Sequence, residues 1–215
     1  MRGAIFDVDG TLIDSMSMWM HFGSDFVRSF GIDAGRELDY KIRYFSLRDT
    51  AEYLSATYPV MGSADDIEEM CRRKTEKFYY EEVKLKPGVR ELLDALCDRG
   101  VKLYIATATY RRLIEGALRR LEIWDRFSGA LTCAEVGSGK DKPEIFLAAR
   151  AALGTEKNET WVFEDAMHAM KTAKSCGFKV CGVYDGSEAD HIKEISEICD
   201  VYVNSFEELD ISRLI

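Results

Sequence analysis

From residue 85 onward, short apolar runs alternate with amphipathic segments, and this alternation points to a parallel β-sheet covered by helices on both faces. Residues 88–99 place Val89, Leu92, Leu93 and Leu96 on one helical face, and Gly100 supplies the stop. A strand follows at 101–106. The order repeats as helix 111–121, strand 130–133, helix 143–153 with Pro143 at its start and Gly154 at its end, and strand 160–163. Helix 166–176, strand 179–183, helix 187–198 with a capping-box-like Ser187-x-x-Asp190, strand 201–203 and a last helix at 206–214 complete the series. The apolar run Ala4-Ile5-Phe6, ending at Asp7, belongs to the same sheet. The expected class is α/β, a doubly wound parallel sheet.

Residues 16–83 break this pattern. They hold no convincing strand and read as helices at 17–30, 37–45, 48–58 and 63–80, with turns around Gly31, Ser46 and 59–62. The simplest division is a core of 1–15 and 84–215 with an all-helical domain, 16–83, inserted after the first strand. The two connections, near Ser15 and at 85–87, would form a hinge pair.

A net charge of −9 argues against nonspecific binding to nucleic acid or to an anionic membrane, both of which need clustered Lys and Arg. No run is long and apolar enough for a transmembrane helix, and the N-terminus enters a strand directly, so no signal or transit peptide is expected. Six scattered cysteines, none in a Cys-x-x-Cys pair, read as mostly buried free thiols and point to the cytoplasm. A monomer or weak homodimer is expected.

In open α/β sheets, ligands gather beyond the carboxyl ends of the strands. Asp7, Thr107 and Glu164-Asp165 all fall at such ends. In Asp7-Val8-Asp9-Gly10-Thr11, two carboxylates close a buried strand two residues apart, an arrangement that is costly to keep ionised unless a cation binds there. Mg²⁺ and a small phosphorylated substrate would suit it. Thr107 alone could equally be a helix cap, Lys140 and Lys142 are both candidates in Gly139-Lys140-Asp141-Lys142-Pro143, and His21, His168 and His191 show no metal-ligand spacing.

These motifs, in this order, resemble the haloacid dehalogenase-like superfamily over essentially the full chain. The likeness is to the subgroup with a small helical cap, which includes phosphatases and β-phosphoglucomutases. The resemblance implies a Rossmann-like core and a role for each position. Asp7 would be the nucleophile that forms an aspartyl-phosphate, and Asp9 the general acid and base, with its backbone carbonyl on Mg²⁺. Gly10 would let the backbone wrap a phosphate, and Thr107 with the Ala108 N–H would bind its oxygens. Aligning Pro143 and Phe146 with the family pattern selects Lys140 as the phosphate-neutralising lysine, with Asp141 in place of a proline. Asp165 would ligate Mg²⁺ directly, and Glu164 would be an outer or variable ligand. Ala166 and Ala169 stand where the family often has Ser and Gly, and tuning of the loop rather than loss of metal is expected.

Asp9 argues for phosphoryl transfer, because the resemblance implies that true dehalogenases lack this second aspartate. The expected function is a Mg²⁺-dependent phosphatase acting on a sugar phosphate, a phosphoglycolate-like compound or a nucleotide monophosphate. A β-phosphoglucomutase-like mutase and a catalytically silent phosphate-binding regulator are the alternatives. The mutases typically carry a histidine in the first cap helix, where this chain has Trp19. Arg48 aligns with their substrate-binding arginine, and Lys74 is a second cationic candidate. Trp19, Arg48 and Lys74 are therefore the candidate substrate contacts, against plain roles in helix packing or as exposed charges.

Overall fold

The computed structural model describes residues 1–42 and 45–214. The chain divides into two compact units, Met1–Ser15 with Val83–Ile215, and Met16–Glu82. The first holds six parallel strands: β1 (Gly3–Phe6), β2 (Lys102–Thr107), β3 (Ala130–Thr132), β4 (Thr160–Glu164), β5 (Lys179–Val183) and β6 (Val201–Val203). Their order is β3-β2-β1-β4-β5-β6, a doubly wound sheet as the alternation predicts. All four residues of β1 are buried, as a central strand covered on both faces requires. The winding reverses between β1 and β4. Connections leave in opposite directions at such a point and open a crevice at the carboxyl ends.

The helical unit contains α1 (Met16–Met20), α2 (Phe22–Arg28), α3 (Arg36–Ile42), α4 (Leu47–Thr57) and α5 (Ala64–Lys77), with a π-helical turn at Phe78–Glu82. Phe22, Phe26, Leu38, Leu54 and Ile67 belong to its own buried core. The expected helix 17–30 is two helices, because His21 leaves the helical region (φ −121°, ψ 8°). Part of the expected helix 37–45, Arg43 and Tyr44, lies outside the described residues. Ser46 and Asp49 close a reciprocal capping box on α4, and Ser63 caps α5.

The sheet is covered by α6 (Val89–Asp98), α7 (Arg111–Arg120), α8 (Cys133–Val136), α9 (Glu144–Leu153), α10 (Met167–Ser175) and α11 (Ile192–Ile198). Ile145 and Phe146 of α9 and Met170 of α10 pack with Ile5, Val162 and Val180 in one cluster. Three expectations need correction. The end of β3 runs straight into α8, where Thr132 and Glu135 cap reciprocally. The expected helix 187–198 is a 3₁₀ stretch, Gly186–His191, before α11, because the Asp185 side chain rather than Ser187 captures the first amide, and Glu188 leaves the helical region. The expected helix 206–214 is two 3₁₀ turns, Phe206–Glu208 and Ile211–Leu214. Ser205 caps the first turn, but the Asp210 side chain takes up the Ser212 amide that a continuous helix would have given to the Glu208 carbonyl. All six cysteines are free, but only Cys71 and Cys181 are buried and Cys97 is exposed. Among the described residues, no helix is long and apolar enough to cross a membrane.

Candidate active site

The sheet ladder extends one residue beyond β1: the Asp7 N–H donates to the Phe163 carbonyl of β4 at 3.0 Å. This brings Asp7 alongside the end of β4, whose last residue is Glu164, followed by Asp165. Each of the three residues places a carboxylate oxygen within 4.8 Å of the others, and all three are buried. The chain after Asp7 folds back tightly, with Leu12 and Ile13 both donating their amides to the Val8 carbonyl. Gly10 sits at φ +80° in this turn, a conformation that side chains disfavour. Asp9, half-buried, accepts a 2.6 Å hydrogen bond from the Ser15 hydroxyl.

Lys140 reaches the cluster from the loop before α9. Its Nζ donates to Asp7 Oδ1 and, at 2.7 Å, to Glu164 Oε1. Lys142, two residues on, is exposed. Glu164 has both oxygens occupied, since Oε2 accepts the Asp165 N–H at 2.9 Å. Asp165 Oδ1 accepts the Thr11 hydroxyl at 2.9 Å. Asp7 and Asp165 each keep one carboxylate oxygen outside these bonds. The structure thus brings together Asp7, Lys140, Glu164 and Asp165.

One ammonium faces three buried carboxylates, and the electrostatics follow. Burial, then Glu164, push the Asp7 carboxyl up to about 8, against the downward pull of Lys140. Burial, then Glu164, Asp7 and Asp185, push Asp165 well above the carboxylate range. Burial works against the Lys140 charge, yet Asp7 and Glu164 outweigh it and hold the ammonium above the ordinary lysine value. The cluster lacks positive charge and offers only oxygen donors. That chemistry suits a hard divalent cation, which would let Asp7 and Asp165 ionise together.

Thr107 closes β2 at the same end of the sheet and is fully buried. Its hydroxyl oxygen accepts the Thr109 N–H at 3.1 Å, and a hydroxyl that accepts one bond still has a hydrogen to donate. The N-cap of α7 is Tyr110, so Thr107 is not a helix cap, and Ala108 is exposed beside it. His168 is exposed on α10.

Within the helical unit, Trp19 Nε1 donates to the Tyr79 hydroxyl at 3.0 Å, and its ring lies 5.7 Å from that of Phe22. Arg48 is ion-paired with Glu52, Asp65 and Glu68. Lys74 Nζ stands 5.9 Å from the Phe22 ring centroid. These contacts match the packing and surface-charge alternatives for all three residues. Three residues escaped the sequence reading: Thr11, whose motif position was the available signal, and Lys86 with Asp185, which carry no local signal.

A phosphorylated carbohydrates phosphatase of Thermotoga maritima is 28% identical over 179 residues, covering 83% of each chain. Hexitol phosphatase B of Escherichia coli is 27% identical over 215 residues, covering 99% of this chain and 96% of that one. Among solved structures, a provisionally assigned β-phosphoglucomutase of Thermotoga maritima superposes with a TM-score of 0.80 at 27% identity, over 97% of this chain and 96% of that one. Residues 4–183 match the family model of the haloacid dehalogenase-like hydrolases, and the chain belongs to that family.

Proposed function

We propose that this protein is a Mg²⁺-dependent phosphatase of small phosphorylated metabolites, sugar phosphates foremost. The observation that carries the reading is the buried set Asp7, Lys140, Glu164 and Asp165, with Asp9 two residues beyond the nucleophile position. The relatives named for phosphorylated carbohydrates and hexitol favour the sugar-phosphate class.

In this reading an Asp7 oxygen attacks phosphorus while the bond to the ester oxygen breaks, and Asp9 gives its proton to the departing alkoxide. Asp9, now a carboxylate, takes a proton from water as that water attacks phosphorus and the Asp7–phosphate bond breaks. Ser15 holds the Asp9 carboxylate for both transfers. Thr107, the Ala108 N–H and the turn at Gly10 bind the phosphoryl oxygens, and Lys140 balances their charge. Asp7, Asp165 and the Asp9 carbonyl would hold Mg²⁺, which supplies positive charge to the phosphate and to Asp7. Glu164, bonded to Lys140 and to the Asp165 amide, orients the other two carboxylates. The helical unit acts as a cap, with Trp19, Arg48 and Lys74 the candidates for substrate choice. A cytoplasmic location belongs to the same reading.

The test is Mg²⁺-dependent phosphate release from p-nitrophenyl phosphate. Asp7→Asn should lower turnover on the order of 10⁶-fold, as loss of a nucleophile does. A wild-type rate no faster than that of Asp7→Asn would overturn the phosphatase reading and leave a mutase or a phosphate-binding regulator. The structural likeness to a β-phosphoglucomutase favours a mutase as the second reading, and interconversion of hexose 1- and 6-phosphates would establish it.

A further inference from the structure

The chain leaves β1 and returns from the helical unit along two segments that pair side by side. Ile13 forms an antiparallel bridge with Leu85, the Asp14 N–H donates to the Lys84 carbonyl, and the Lys86 N–H donates to the Leu12 carbonyl. Lys86 therefore lies against the turn that carries Asp9. Its side chain is only 11% exposed, so its charge is not a solvated one. An ammonium has three donors, and three acceptors surround this one: the Gly10 carbonyl at 2.8 Å, the Tyr184 carbonyl at 2.6 Å and Asp185 Oδ2 at 3.0 Å.

The far side of this junction is firmly held. The Tyr184 N–H donates to the Val203 carbonyl of β6, and Asp185 Oδ1 accepts from both the amide and the hydroxyl of Ser187. The near side is the peptide between Gly10 and Thr11. Lys86 fixes its carbonyl oxygen, while the Thr11 hydroxyl is bonded to Asp165. Asp9 immediately precedes Gly10, so the anchored peptide begins one residue beyond it.

We propose that Lys86 is a positioning residue for Asp9. By tying the Gly10 carbonyl to the end of β5, with Asp185 as counter-charge, it keeps the turn from drifting and holds the Asp9 carboxylate in reach of the ester oxygen. The proposal rests on the phosphatase reading and deepens it. Proton donation matters greatly for an alkoxide leaving group and little for p-nitrophenolate, which leaves without help. Misplacing Asp9 should therefore injure the two kinds of ester unequally, whereas a merely structural role would injure them alike.

The experiment compares wild type with Lys86→Met, Lys86→Arg and Asp185→Asn, measuring kcat/KM with Mg²⁺ for glycerol 2-phosphate and for p-nitrophenyl phosphate. Hydrogen exchange of the peptide amides at 8–15 is followed in parallel. For Lys86→Met, kcat/KM should fall about 30-fold further with the alkyl ester than with the aryl ester, whose own loss measures what the turn does for phosphate and Mg²⁺ with either substrate, and amide exchange in the turn should accelerate. Lys86→Arg should recover part of the alkyl-ester loss. Equal losses on both esters, or unchanged exchange in the turn, would overturn the proposal. Should Lys86→Met fail to fold, Asp185→Asn carries the same comparison. If wild type turns over neither ester, the phosphatase reading fails and the exchange data alone decide whether Lys86 holds the turn.

Discussion

Two sites in this protein set one cation against three carboxylates, in opposite surroundings. In the core unit, Lys140 faces Asp7, Glu164 and Asp165, with the Lys140, Asp7 and Glu164 side chains 6%, 8% and 1% exposed. In the helical unit, Arg48 meets Glu52, Asp65 and Glu68 at 2.6–3.1 Å while 47% exposed. Water and dissolved ions balance the second group, and its pairs add little to stability. In the first, burial withholds that screening, and each carboxylate makes its neighbours harder to ionise. The proportion of charges is the same at both places. Burial is what makes one of them costly to keep ionised.

The sharpest way to break the comparison is Lys140→Met. Removing the only ammonium from a buried cluster should destabilise the metal-free protein by about 3–5 kcal/mol, read from urea unfolding in EDTA. A loss as small as that of a surface pair would place both groups in the same regime. Next, Mg²⁺ at about 100 times its dissociation constant should add about 2.7 kcal/mol to unfolding stability, and Asp165→Asn should remove most of that gain. Proton titration supplies a third measurement. Asp7 is shifted from 3.8 to about 8, so the folded state holds this proton more tightly than the unfolded chain. Its contribution is full below about pH 4 and is lost as the pH climbs to about 8, and melting temperatures in EDTA should fall across that window. Saturating Mg²⁺, which favours the ionised form, should flatten the fall. The smallest effect belongs to the exposed group: Arg48→Met should leave the urea midpoint of the protein within error of wild type.

The sequence carries the fold well where one element's own residues decide it. Val89, Leu92, Leu93 and Leu96 all lie buried on α6, and the alternation of elements predicts the parallel sheet. It carries less where short polar side chains compete for amides. Asp185 outcompetes Ser187, and Asp210 divides the last helical stretch, because one hydrogen bond decides each turn and no periodicity reports it. The site divides along the same line. Asp7, Lys140, Glu164 and Asp165 stand in motifs, and the register set by Pro143 and Phe146 points to Lys140, while Lys142 is exposed. The bonds that align the motifs span the chain: Thr11 and Asp165 are 154 residues apart, and Lys86 and Asp185 are 99 apart. Pairings of that range leave no mark on either neighbourhood.

The central place of β1 also governs how the chain is made. Asp7 is synthesised long before Glu164, yet β1 is flanked by β2 and by β4, which ends at Glu164. At ~5–20 residues per second, a delay on the order of ten seconds separates the two. Throughout that interval the apolar edge of β1 is without its partner and open to pairing with other chains. The helical unit, whose last residue is Glu82, needs no later residue to complete its core. The nascent chain therefore finishes its helical unit early, while the strand that ends at Asp7 waits for a neighbour from the last third of the sequence.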